Sequence, residues 1–340
     1  MSWKRRTLIA VSCVVALVLS AGGWVIVQHD FDIRAERVTV TGGAQPLQGT
    51  LALPERGDGP FGLVVFVHGD GAATADRDEF YRPIWETFAR AGYASLAWDK
   101  PGVNGAPGNW LDQSMPDRAA ETEAAIAWAR GRPDIDAGRI GLWGISQAGW
   151  VLPQVAVRHP ELRFMIAVGT AVNWIRQGEY NLRAELRERH ASDDEIAAEL
   201  RRRENDLSLL RAGASYDRYL AATADSPPMS ADRWRFVGKN FRSDATETLA
   251  QLRVPTLLLL GEHDLNVDVA ETARVYRESI PASLLTIRTF PDASHNIVTF
   301  DLDKPDSLRS FLVALFAPRS LYAPGYLDAL REYAAQPPNH

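Results

Sequence analysis

Gly144-Ile145-Ser146-Gln147-Ala148-Gly149 sets a serine between small residues, where an apolar stretch, Arg139 to Trp143, meets a helical pattern. A serine hydroxyl becomes a useful nucleophile when a tight turn lifts it clear of the backbone. Small residues two before and two after it permit that turn. It also needs a base, and the base needs an orienting carboxylate. His295, in Pro291-Asp292-Ala293-Ser294-His295-Asn296, follows the last predicted strand, and Asp264 closes the loop Leu260-Gly261-Glu262-His263-Asp264 after the penultimate one. Asp268, four residues on, competes for the acid role. His68-Gly69-Asp70-Gly71 follows an apolar run ending at Val67. Backbone N–H groups there, with the N–H of Gln147, can point at a developing oxyanion. Together these groups imply acyl transfer through a covalent serine intermediate.

Such groups work only if strands bring their loops to one edge. Val38 to Val40 and Gly49 to Leu53 read as an antiparallel start around Gly42-Gly43. Leu63 to Val67 is a continuous apolar run, as expected of a strand buried on both faces. Helices are predicted over 81–91, 117–129, from the elbow towards His159, near 270–279 and over 307–316. Strands are predicted at 94–98, 139–143, 164–168, 256–260 and 284–290. This alternation predicts a mostly parallel, doubly wound α/β sheet, with the four chemical loops at the carboxyl ends of its strands.

No buried-strand pattern appears between about Asn173 and Ala250. From Arg176 to Arg211, 17 of 36 residues are charged, while Leu182, Leu186, Ile196, Leu200 and Leu207 recur at roughly helical spacing. Ser192 with Glu195 makes a capping box. The expectation is an inserted helical cap, 173–250, that crosses the catalytic face and shapes the acyl pocket. Trp150, Trp174, Trp234 and Phe236 are the expected pocket residues. The core would be 37–172 and 251–318, followed by a C-terminal tail, 319–340.

The 340 residues, 46% hydrophobic and 24% charged, form an ordinary globular composition. A net charge of −6 lacks the basic footprint of a nucleic-acid binder. One cysteine, Cys13, excludes an intramolecular disulfide and a Cys-based zinc site. No metal and no organic cofactor is expected, since Walker-type and dinucleotide fingerprints are missing from the sequence. Lys4-Arg5-Arg6 precedes twenty uncharged residues, Leu8 to Val27. A basic start before an apolar run implies a signal peptide or membrane anchor within 1–28, placing the rest in the periplasm or otherwise outside the cytoplasm.

Further segments join the elbow and the His-Gly loop: Asp76-Arg77-Asp78, Trp98-Asp99-Lys100-Pro101-Gly102, and Trp150 after Gly149. Over about Val38 to Ala317 the chain resembles a serine hydrolase of the α/β-hydrolase superfamily, in the dienelactone-hydrolase- and prolyl-oligopeptidase-like bacterial esterase branch. The order Ser146, Asp264, His295 matches that superfamily. The resemblance implies Ser146 as nucleophile, His295 as base, Asp264 as its partner, and oxyanion N–H groups from Asp70 and Gln147. Two residues depart from the pattern: Ala148 stands where a glycine is usual, and Asp70 puts a carboxylate beside the oxyanion site. The leading expectation is a metal-independent carboxylic-ester hydrolase acting on small esters. An exopeptidase, a thioesterase or acyltransferase on the same triad, and a non-catalytic membrane-tethered binding protein are the alternatives.

Overall fold

In the computed structural model, residues 3–223, 227–304 and 307–337 are described, with the backbone alone at 4–6, 8–11 and 14. Helix α1 (Trp3–His29) leads into strands β1 (Ile33–Val40) and β2 (Leu47–Pro54), an antiparallel pair. Next come β3 (Phe61–Val67), α2 (Arg82–Arg90), β4 (Tyr93–Trp98), α3 (Met115–Arg130), β5 (Ile135–Ile145), α4 (Leu152–Arg158) and β6 (Phe164–Val168). Five helices then follow without a strand: α5 (Trp174–Glu188), α6 (Asp193–Arg211), α7 (Tyr216–Ala222), α8 (Ala231–Asn240) and α9 (Thr246–Leu249). The chain re-enters the sheet at β7 (Thr256–Gly261), then α10 (Val269–Ser279), β8 (Leu285–Phe290), α11 (Leu308–Phe316) and α12 (Tyr326–Ala335).

The eight strands lie in the order β1-β2-β4-β3-β5-β6-β7-β8. From β4 through β8 neighbouring strands are parallel, while β2 pairs antiparallel with both β1 and β4. The apolar runs are buried end to end in β3, β4, β6 and β7, because helices cover both sheet faces. Alternate residues of each strand feed two cores. Leu63, Val65, Leu142, Met165 and Leu258 face one side, and Val64, Phe66, Trp143, Ile166 and Leu257 the other. This is the architecture of an α/β-hydrolase, and it carries the ends of β3, β5, β7 and β8 to a common edge.

Two regions differ from the sequence expectation. Residues 319–340, read as a tail, contain α12, whose Tyr326, Ala329, Leu330, Tyr333 and Ala334 are buried in the second core; residues 338–340 lie outside the described ones. The expected membrane segment, 8–27, falls within α1, and part of it lies outside the described side chains. Among the described residues no helix is long and apolar enough to cross a membrane.

Candidate active site

β5 runs apolar to Ile145, and the chain then turns sharply through a 3-10 turn, Ser146–Trp150, before α4 begins. Ser146 stands at φ 57°, a left-handed conformation that costs a non-glycine residue about 1–2 kcal/mol and marks a strained turn. The flanking residues are small for a steric reason. A Cβ on Gly144 would lie 2.7 Å from the Cβ of Ala148. Ala148 fills the inside of the elbow, and any second side chain there would force it open.

The loop after β8 brings His295 to the same cavity as Ser146, a cleft of about 470 Å³. His295 Nδ1 is 2.8 Å from Asp264 Oδ2. Asp264 has no exposed side-chain surface, and its other oxygen accepts the backbone N–H groups of Asn266 at 2.7 Å and Val267 at 2.8 Å. Those bonds fix the carboxylate, so it can hold only one imidazole orientation. Because Asp264 accepts at Nδ1, the other ring nitrogen is left to act as a base. Asp268, the competitor, instead caps α10, its Oδ1 accepting from the N–H of Glu271 at 2.9 Å. Beneath the imidazole lies Gly169, at φ 51°, where a Cβ would come within 2.7 Å of the His295 carbonyl oxygen.

Asp70 and Gln147 line the cleft beside Ser146. The Asp70 carboxylate is held in a polar clamp. Arg233, on α8 of the cap, donates to both of its oxygens, and Gln147 Nε2 donates to Oδ1 at 3.0 Å. Burial opposes ionisation of Asp70, but the hydrogen bonds and charge of Arg233 outweigh it, and its pKa falls below the ordinary 3.8. Gln147 is held in turn by the buried Arg118, whose Nη1 donates to Gln147 Oε1 at 2.6 Å and Nη2 to the His68 carbonyl at 2.5 Å. His68 faces inward. Its Nε2 meets the Trp98 carbonyl at 2.7 Å, so that nitrogen carries the proton, while burial, then the charge of Lys100, lowers its pKa to about 3. It is a neutral strut of the loop.

The cap is fastened to the acid loop as well. On α5, Tyr180 donates to the Asp264 carbonyl at 2.9 Å, Gln177 to the Asn266 carbonyl at 2.9 Å and Asn181 to the Leu265 carbonyl at 3.1 Å. Trp150 and Trp174 line the cleft, stacked with centroids 4.9 Å apart. Trp234 and Phe236 do not line it. Helix α8 presents Arg233 and Val237, one turn apart, to the cavity, which rotates residue 234 into the cap and 236 onto the core. Trp234 stacks on Tyr219 at 4.1 Å, and Phe236 packs against Trp110 at 5.5 Å. Sequence reasoning missed the polar lining: Arg77, Gln177, Asn181, Arg233, Asn266 and Asn296. Polar residues on a charged cap look like a solvated face, and their spacing carries no signal that separates the two. Among the described residues no group of His, Cys, Asp and Glu is arranged to hold a metal.

The family model described as X-Pro dipeptidyl-peptidase (S15 family) matches residues 44–288. A putative phosphoribosyl transferase of Mycobacterium tuberculosis is 29% identical over 143 residues, 41% of this chain and 31% of the relative. The chain thus spans about a third of the length of the curated relatives it matches. An esterase of Pyrococcus furiosus superposes with a TM-score of 0.54 at 15% identity, covering 85% of this chain and 92% of that one. A proline iminopeptidase of Mycobacterium smegmatis gives 0.53 at 20% identity, covering 84% and 99%. At such identities these likenesses speak for the fold.

Proposed function

The chain belongs to the X-Pro dipeptidyl-peptidase (S15) family, and on that premise we propose that it is a serine hydrolase cleaving carboxylic esters through an acyl-enzyme on Ser146. The observation that carries this reading is the sharing of one cleft by Ser146, on its strained elbow, and His295, held by Asp264. His295 would take the Ser146 proton as Oγ attacks the acyl carbon. The carbonyl oxygen would become an oxyanion facing the N–H groups of Asp70 and Gln147. Collapse expels the leaving group with the proton from His295, and water, activated by the same imidazole, releases the acid.

The family also makes a peptide substrate the second reading. A peptidase that reads a free amino terminus needs a carboxylate for its ammonium. Among the described residues lining the cleft the one carboxylate is Asp70, and both its oxygens accept from Arg233. That pairing favours an uncharged acyl group, and so an ester. Purified protein is tested with a fluorophosphonate probe, short and long p-nitrophenyl esters, and aminoacyl-proline p-nitroanilides. The reading expects labelling that Ser146→Ala abolishes, and ester turnover at least tenfold faster than amide turnover. An unlabelled wild-type protein would end the serine-hydrolase reading, and preference for the anilides would give the peptidase reading its place.

The proposal extends to location. Lys4-Arg5-Arg6 before an uncharged apolar run supports export to the periplasmic side. An alkaline phosphatase fusion after residue 36 that stays inactive in cells would refute it.

A further inference from the structure

Behind the oxyanion loop lies a buried cation that the triad chemistry does not use. Lys100, two residues past β4, is 3% exposed, and its Nζ donates to the carbonyl oxygens of Gly69 at 2.6 Å and Gly71 at 2.7 Å. The third direction of the ammonium faces the ring of Trp110, 4.9 Å away. No carboxylate forms an ion pair with it among the described residues. The neighbouring Asp99 is already taken, accepting from Arg37, the Ala75 N–H and Asn104. A desolvated ammonium is costly to keep, and here it is spent on two backbone carbonyls.

The identity of those carbonyls matters. The Gly69 oxygen and the Asp70 N–H belong to one peptide group, which is planar and conjugated. A positive charge on that oxygen withdraws electrons from the nitrogen, making the N–H a stronger donor on the opposite side. It also stops the peptide from rotating its N–H away. Arg118 adds a second buried cation, a guanidinium, on the preceding carbonyl, that of His68.

We propose that Lys100 is a positioning residue for the oxyanion site: its ammonium, held on the Gly69 carbonyl, aims and polarises the Asp70 N–H at the reacting carbonyl oxygen. The proposal rests on the serine-hydrolase reading, and it assigns Lys100 a role in the transition state rather than in substrate binding. Its effect therefore falls on kcat, since the oxyanion exists only after attack.

Lys100 is surrounded by Arg118, Asp70, Glu121 and Arg77. Burial, then the charge of Arg118, lowers its pKa well below 10.5, against the weaker pull of Asp70 and Glu121. A group of lowered pKa loses its charge as pH rises through that value, so the effect disappears on the alkaline side.

The test compares wild-type protein, Lys100→Met and Lys100→Arg on p-nitrophenyl acetate, with an aliphatic trifluoromethyl ketone as inhibitor. Ser146 Oγ adds to the ketone carbon, His295 takes the proton, and the ketone oxygen becomes an anionic mimic of the tetrahedral state. The expected result for Lys100→Met is a kcat at least tenfold lower, a KM within threefold, and ketone affinity weakened by about the same factor as kcat/KM. Lys100→Arg, which keeps the charge, should recover most of the loss. A kcat for Lys100→Met within threefold of wild type overturns the proposal, as does lost kcat with unchanged ketone affinity. Should Lys100→Met fail to fold, the pH profiles of wild type and Lys100→Arg decide. Wild-type kcat should fall at a lower alkaline pH than that of the arginine variant, whose guanidinium stays charged, and coincident profiles overturn the proposal. Fluorophosphonate labelling of wild type, run alongside, separates these failures from failure of the serine-hydrolase reading itself.

Discussion

Arg233 grips both carboxylate oxygens of Asp70, Nη1 on Oδ1 at 2.9 Å and Nη2 on Oδ2 at 2.6 Å, so that the cap is latched to the loop after β3. On the proposed mechanism the pair resolves the difficulty of a carboxylate beside a site where negative charge would develop. The bidentate guanidinium offsets its charge.

Removing the latch should therefore harm catalysis more than stability. Arg233→Ala is expected to lower kcat/KM about tenfold, because an unpaired carboxylate then opposes the oxyanion. Adding Asp70→Asn in that background should restore most of the rate, an amide having no charge to oppose it. Both side chains are about a third exposed, so the pair contributes no more than about 1 kcal/mol to folding. Steady-state kinetics on the two single variants and the double variant, with thermal melts, check both halves. The Asp70 pKa is depressed, so the latch is complete above the ordinary carboxylate value of 3.8 and is lost only as pH falls through the depressed one.

The two aspartates of the acid loop should separate cleanly. Asp264→Asn removes the acceptor that orients His295 and is expected to cost roughly 10³–10⁴-fold in kcat. Asp268→Ala removes only the N-cap of α10, at about 1 kcal/mol of stability. Its kcat should stay within threefold of wild type. Ester hydrolysis and urea unfolding on the two variants give the comparison.

Much of the core was legible because each strand buried on both faces writes a short apolar run, and β6 was read residue for residue at 164–168. The elbow was legible because its steric demand is local: a side chain on Gly144 would collide with Ala148, four residues on. Helix α12 escaped although Tyr326, Ala329, Leu330, Tyr333 and Ala334 repeat at i, i+3, i+4, i+7 and i+8, since the expected fold already ended near 317. The polar cleft wall escaped for another reason. Whether Arg233 points at solvent or at Asp70, 163 positions away, is decided by tertiary packing that periodicity does not record.

Leu330, fully buried against α2 and the sheet, tests whether α12 is integral to the fold. Leu330→Ala should destabilise the protein by about 2–5 kcal/mol through lost burial and the cavity left behind. A true tail would unfold at the wild-type urea midpoint. The measurement is equilibrium urea unfolding followed by tryptophan fluorescence, and the activity of the folded fraction should be nearly unchanged because the helix is remote from the cleft.

The tryptophans of the cap region should divide by where their rings lie. Trp174 stacks on Trp150 at the cleft wall, so Trp174→Ala opens space beside the acyl group. The expected outcome is a shift of at least threefold in the ratio of kcat/KM for octanoyl over acetyl p-nitrophenyl esters, toward the longer chain. Trp234 is buried in the cap's own cluster with Leu207, Leu210, Tyr219 and Phe241, and its Nε1 donates to the Ala214 carbonyl at 3.3 Å. Trp234→Ala should cost about 3–5 kcal/mol of local stability. Because the cap carries Arg233, its loosening should lower the rates on both esters together and leave their ratio within twofold. A chain-length shift from Trp234→Ala equal to that from Trp174→Ala would contradict this division, since it would require the buried ring to touch the acyl chain.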